Sequence, residues 1–201
     1  MPTAAWTRVV IALAAAAWAL ILFVGGRDLD AAWMRPLGVA SSAVVLLLLA
    51  FDRWVWRWPL VRRAVRHPVL RGTWKTELRS TYDGRAGEVI EAYLVIRQSL
   101  SKLSAMMLFD RSQSLSMSAD LVCDDDRWTL YYLFRSEKHA LEPPDNPPAR
   151  GAAHVTVARA PRLHLEGDYW MEHGTRGRIR TTGYVGTLFD TFDAARKAQY
   201  K

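Results

Sequence analysis

The chain of 201 residues changes its hydrophobic period once. Up to Phe51 the apolar positions come in nearly unbroken runs; from Gly72 they alternate with polar ones. Trp6 to Val24 is nineteen residues long with a single charge, Arg8. At ~1.5 Å rise per residue a helix of that length covers about 28 Å, close to the hydrocarbon thickness of a bilayer. Leu37 to Phe51 is almost wholly apolar. Counted from Trp33 it reaches a similar length, with Arg35 placed to snorkel to the interface. The connector Gly25 to Ala32 holds Gly25-Gly26, Arg27, Asp28 and Asp30, the composition of a tight polar turn. The pattern therefore predicts a transmembrane helical hairpin over residues 1–58. A cleaved signal peptide is the competing reading of the first run. That run has no clear small-x-small cleavage site, and a second apolar run follows at once.

Residues 59–71 form a basic juxtamembrane linker, interrupted by Pro59 and Pro68, which do not suit one continuous helix. From there the period is two, as for half-buried strands. Thr73 to Arg79 sets Trp74, Thr76 and Leu78 on one face and Lys75, Glu77 and Arg79 on the other. Strands follow at Glu88 to Gln98, Lys102 to Asp110, Gln113 to Val122, Trp128 to Arg135, Ala152 to Ala158, Arg162 to Trp170 and Arg176 to Tyr184. In the fourth, Leu115, Met117, Ala119 and Leu121 face one way and Ser114, Ser116, Ser118 and Asp120 the other. Asp124-Asp125-Asp126 reads as a hairpin tip, the proline-rich Glu142 to Pro148 as a loop, and Phe189 to Lys201 as a tail with a short helix. About eight antiparallel strands joined mostly by short turns fit a sandwich or a small closed barrel. The barrel is the expectation taken forward. The whole chain then reads as a membrane protein with two N-terminal transmembrane helices and a C-terminal all-β domain over 72–201.

Charge changes this picture in one respect. The formal net charge is +7, but residues 1–71 hold nine basic and three acidic residues, and residues 72–201 hold 18 and 17. The excess sits beside the membrane: Arg53, Arg57, Arg62, Arg63, Arg66 and Arg71 follow the second apolar run. Arginines in that position stay cytoplasmic, which predicts N- and C-termini in the cytoplasm. A nearly neutral domain has little net charge to spare for a DNA or RNA duplex, whose binding domains normally carry a basic face of their own. The single cysteine, Cys123, excludes an intramolecular disulfide and is expected as a packed thiol at a strand end.

Catalytic chemistry is not legible. The five histidines are scattered, with no metal-ligand spacing, and neither a phosphate loop nor a nucleophile elbow occurs. Neither metal nor cofactor is expected, and the chain is read as no enzyme. What remains is a binding interior. Trp74, Tyr131, Tyr132, Tyr169 and Trp170 offer faces for a base. Arg97, Arg135, Arg176, Arg178 and Arg180 offer forks for phosphate. The expected ligand set is Trp74, Arg97, Gln98, Tyr169, Arg176 and Arg178. Gly177, between two of the arginines, is expected to admit a ligand close to the backbone. One condition applies: if Ile179 faces the core, alternation turns Arg176, Arg178 and Arg180 outward.

The order of motifs resembles a known family. After the two apolar runs come Gly72-Thr73-Trp74, Val95-Ile96-Arg97-Gln98-Ser99, the serine-alternating Ser112 to Ser118 and Arg150-Gly151-Ala152. Leu165-Glu166-Gly167-Asp168-Tyr169-Trp170 and Thr175-Arg176-Gly177-Arg178-Ile179 complete the series. It looks like the two-transmembrane, β-strand-rich effector of bacterial cyclic-oligonucleotide-based antiphage signalling systems (CBASS). The resemblance implies a cytoplasmic barrel that binds a cyclic di- or oligonucleotide made by a partner nucleotidyltransferase. It also implies homo-oligomerisation, disruption of the bacterial inner membrane, and abortive infection. Two readings compete: a lipocalin-like barrel for a fatty acid or other apolar ligand, and a ligand-free membrane scaffold.

Overall fold

The computed structural model describes residues 45–46, 48–59, 68–81, 88–138, 149–158, 160 and 162–201. The first expected span and most of the second lie outside these residues. Among the described residues no helix is long and apolar enough to cross a membrane. The chain divides into two compact units, Met1–Pro68 with Ser99–Lys102, and Val69–Gln98 with Leu103–Lys201. In the first, the described part holds helical residues 48–53 and a 3-10 turn, Val55–Arg57.

The second unit is a closed antiparallel barrel whose strands follow one another around the ring in chain order. They are β1 (Gly72–Ser80), β2 (Val89–Gln98), β3 (Leu103–Leu108), β4 (Ser112–Asp124), β5 (Arg127–Lys138), β6 (Arg150–Ala158), β7 (His164–Met171) and β8 (Arg176–Val185). Closure comes from β1 pairing with β8, where Leu78 opposes Ile179 and Thr76 opposes Thr181. It pairs the outer edges of β1 and β8 with each other, edges that a sandwich would have kept. The period-two apolar positions point inward. Trp74, Leu78, Ala92, Leu94, Ile96, Leu130, Val155, Leu165 and Ile179 form one continuous core.

Besides the register shift between β1 and β8 at Lys75/Thr76, two irregularities bear on the argument. The first is in β4, whose register against β5 shifts between Ser116 and Ser118. Below the shift Ser114 and Ser116 lie opposite Ser136 and Phe134; above it Ala119 and Leu121 lie opposite Tyr132 and Leu130. The expected single apolar face of β4 is therefore split. Ser114 is buried on the inside, and Met117 is exposed on the outside. A bulge inserts one residue and flips the side-chain phase beyond it. The Ser116 hydroxyl helps hold it, accepting from the Ala105 N–H at 2.9 Å.

The second is at the β4–β5 tip. Asp125 and Asp126 both have positive φ, 43° and 62°, as a two-residue type I′ hairpin requires. This tip runs beyond β3, whose pairing with β4 covers only Gln113, Ser114 and Leu115. Cys123 is exposed, correcting the expectation of a packed thiol: it pairs with Trp128 of β5, but the pairing of β3 with β4 stops at Leu115.

The C-terminal segment lies against the outer wall of β2 and β3. Tyr93, Val95 and Leu108 point outward there and pack with Ala195, Leu188, Phe189, Phe192 and Tyr200. A short helix, α1 (Phe192–Arg196), starts at Thr191, whose side chain accepts from the Ala194 N–H. Lys201 and Tyr184 exchange backbone hydrogen bonds, both at 3.1 Å, fastening the segment to β8. β2 is thus buried on both faces, which explains its run of apolar residues from Ala92 to Ile96.

Candidate ligand-binding cavity

The two ends of the barrel differ in what the inward positions carry. At the end where β1 begins, Trp74 lies across the interior. Its indole Nε1 donates to the Leu70 carbonyl at 2.9 Å, and its ring meets that of Tyr184 at 4.6 Å between centroids. The Gln98 side-chain oxygen accepts from the Leu70 N–H at 2.7 Å, and the Tyr184 hydroxyl donates to the Arg71 carbonyl at 2.9 Å. The segment entering β1 is thereby tied across the barrel mouth, and this end is filled.

At the opposite end the inward positions become small and polar: Ser80 on β1, Ser112 and Ser114 on β4, Ser136 on β5 and Ala149 before β6. A cavity of about 600 Å³ opens there. That volume lies within the usual range of small-molecule sites. Its deeper wall is apolar, from Leu78, Ile90, Met107, Met171 and Ile179. Aromatic faces come from Phe109, Tyr132, Phe134 and Tyr169.

Glycines opposite two of these aromatics leave room for their rings beside the wall. A Cβ at Gly177 would stand 2.1 Å from the Arg79 carbonyl oxygen and 2.7 Å from a Tyr169 ring carbon. A Cβ at Gly151 would stand 2.5 Å from Phe134 Cζ. The backbone approach that Gly177 was expected to give a ligand is therefore occupied by Tyr169 itself. A ring lying over a cross-strand glycine leaves the centre of the barrel open.

The cavity electrostatics are mild. Burial pushes the Tyr132 phenol well above its ordinary value. It also raises that of Tyr169, partly opposed by a hydrogen bond with Ser80. Both remain neutral O–H groups at physiological pH. Glu91 reaches the wall, but its carboxylate accepts from the Tyr93 hydroxyl at 2.8 Å and pairs with Lys75 at 3.1 Å. The Tyr93 hydrogen bond, ahead of Lys75, holds its pKa below the ordinary carboxylate value. The rim carries Arg111, Asp110 and His173. Arg111 lies 3.9 Å from Asp110, with both side chains well exposed. Among the described residues no group of three His, Cys, Asp or Glu converges as a metal site.

The six residues expected to form the site are not brought together. Tyr169 lines the cavity. Trp74 and Gln98 belong to the filled end, where both are buried and hydrogen-bonded. Arg97 points outward and pairs with Asp190 of the C-terminal segment. Arg176 and Arg178 are exposed on the outer face of β8, because Ile179 is buried at 1% exposure. The condition stated from the alternation is thus met. Of the further candidates, Tyr132 faces the cavity, while Tyr131 and Trp170 stand outside, on either side of His154. Sequence reasoning passed over Ser80, Ser112, Ser114, Ser136, Phe109, Phe134 and Arg111. The regular serines of β4 were the available signal, but a serine face on a strand ordinarily reads as solvated.

A closed barrel of eight strands, filled at one end and hollow at the other, is a receptor architecture for one small ligand. Residues 65–183 match the family described as Cap15, cyclic dinucleotide receptor domain. The chain belongs to this family. A relative from Staphylococcus schleiferi, CD-NTase-associated protein 15, is 23% identical over 161 residues, covering 80% of this chain and 86% of the relative. The kinship with CBASS effectors inferred from the order of motifs is borne out, and the matched region spans every strand motif that carried it.

Proposed function

We propose that this chain is a CBASS effector whose barrel binds a cyclic dinucleotide in the open-end cavity. The carrying observation is the cavity in a chain of this family: a space of about 600 Å³ lined by aromatic faces and serine hydroxyls. A cyclic dinucleotide has two flat bases and two phosphates. Tyr132, Phe134, Tyr169 and Phe109 offer the stacking faces. Ser80, Ser112, Ser114 and Ser136 offer neutral donors to phosphate oxygens, and Arg111 offers a cation at the rim. Binding is the whole task of the site, and no catalytic step is assigned to it. Upstream stands a nucleotidyltransferase that supplies the ligand. Downstream, the barrel drives self-association of residues 1–58 as a transmembrane hairpin, N- and C-termini in the cytoplasm, and disruption of the inner membrane.

A second reading has one observation in its favour. The cavity has an apolar floor and a single arginine at its rim, as a fatty-acid site would. Titration calorimetry on the full chain in detergent separates the two, using cyclic di-AMP, cyclic di-GMP, cyclic GMP–AMP and palmitate in turn. Saturable binding of a cyclic dinucleotide, weakened on Tyr169→Ala, is the expected result. Binding of palmitate alone would replace the proposal by the lipid reading.

A further inference from the structure

In a ring of eight strands, β4 and β8 are four places apart and so stand on opposite sides of the barrel. Their outer surfaces differ in charge. On the β4 side Asp120, Asp124, Asp125 and Asp126 are all exposed, with Arg127 as the nearby cation. Beside them are exposed apolar side chains, Met117 at 58% and Val122 at 44%. The flank of this stretch toward β3 meets no strand among the described residues, so the hairpin projects from that side. On the far side Arg176, Arg178 and Arg180 are exposed along β8, and Arg79 of β1 lies beside Arg178. Acids are present there too: Asp168 is 3.9 Å from Arg178, and Glu77 and Glu166 flank Arg180. Trp170, 50% exposed, lies beside Arg176.

An isologous two-fold contact sets a patch against itself, which here means aspartates against aspartates or arginines against arginines. A heterologous contact sets the aspartate side of one copy against the arginine side of the next. We propose that copies of this chain associate side by side and head to tail, the outer face of β4 in one against the outer face of β8 in the next. This deepens the self-association in the proposed function and rests on that reading. Met117, Val122 and Trp170 supply the apolar area of the contact; the charges choose the partner face and its orientation. Each added copy leaves one acidic and one basic face free, so the contact repeats instead of ending at a dimer. It is lateral, and leaves the cavity mouth at the end of the barrel uncovered.

Charge reversal on each face supplies the test. Asp120→Arg with Asp124→Arg makes both sides basic; Arg79→Asp with Arg180→Asp makes the β8 side acidic like the β4 side. The full chain and both variants are compared in detergent by sedimentation velocity, alone and with cyclic di-AMP, cyclic di-GMP or cyclic GMP–AMP. Far-UV spectra and thermal melts check that each variant folds. The wild type should assemble and each variant alone should stay monomeric. An equimolar mixture should assemble, because every basic face then finds an acidic one, and added salt should dissolve the assemblies. A variant that assembles alone like the wild type, or a mixture that stays monomeric, overturns the proposal. Calorimetry in parallel keeps the two ideas apart. Absence of nucleotide binding sinks the ligand reading, while the mixture still judges the faces without any ligand.

Discussion

The same eight strands build a plug at one end of the barrel and a cavity at the other. Along β1 the inward positions run Trp74, Thr76, Leu78, Ser80; along β5 they run Leu130, Tyr132, Phe134, Ser136. Around Trp74 the interior is filled by Leu70, Leu94, Ile96 and Leu165, all at 0% exposure. Around Ser114 the inward side chains are short, and Phe134 and Tyr169 lie where the missing Cβ of Gly151 and Gly177 leaves room for them. Stability and binding are thus graded along the barrel axis. The large side chains that hold the fold lie at one end, and the hydroxyls and aromatic faces that the proposed function assigns to the ligand lie at the other.

The sharpest test of that division is at the plug. Trp74→Ala should destabilise the barrel by about 3–5 kcal/mol, as removal of a large buried aromatic does. Denaturant unfolding should show it, with nucleotide affinity little changed in the protein that remains folded. An equal loss of affinity would mean that the two ends are not separate.

At the open end the ledger should reverse. Tyr169→Ala should weaken nucleotide binding by about 1–3 kcal/mol, the range for loss of a stacked base. Arg111→Ala should cost about 1.5–3 kcal/mol of affinity if its charge meets a phosphate. Being well exposed, it should leave the unfolding midpoint within about 0.5 kcal/mol of wild type. Calorimetry and chemical denaturation on the same samples would decide both. The outer wall supplies the control: Arg178→Ala should leave calorimetric affinity unchanged, since that side chain points away from the cavity.

The smallest effect concerns pH. Burial, assisted by the nearby Glu91 charge, raises the Tyr200 phenol from 10.0 to about 12. A group whose pKa is raised on folding stabilises the protein fully below its unfolded value and loses that contribution as pH rises through the folded one. The C-terminal segment should therefore hold to about pH 10 and loosen toward pH 12, read as faster hydrogen exchange in residues 187–201. Tyr169 and Tyr132 are raised as well, so affinity at the cavity should stay flat through neutral pH. A fall in affinity between pH 7 and 9 would point to a different titrating group at the mouth.

Strand positions and antiparallel order were legible in the sequence because alternation depends only on which residues seek water. The inward direction of Trp74 and Tyr169 followed from the same rule; that of Ile179 was left open, and the outward turn of the arginines followed only once the structure showed Ile179 buried. The β4 bulge was not legible. A one-residue shift in register leaves the alternation Ser-Leu-Ser-Met-Ser intact and changes only which half faces in, and that is settled by the partners β3 and β5. Nor was the separation of Trp74 from Tyr169. Both are inward aromatics on strands only two places apart in the ring, but they sit at opposite ends of the barrel. Only closure of the barrel, with its fixed registers, assigns one to the plug and the other to the cavity. Local hydrophobic pattern decides the face of a strand on which a side chain lies; its height along the barrel axis depends on pairings between residues far apart in the chain.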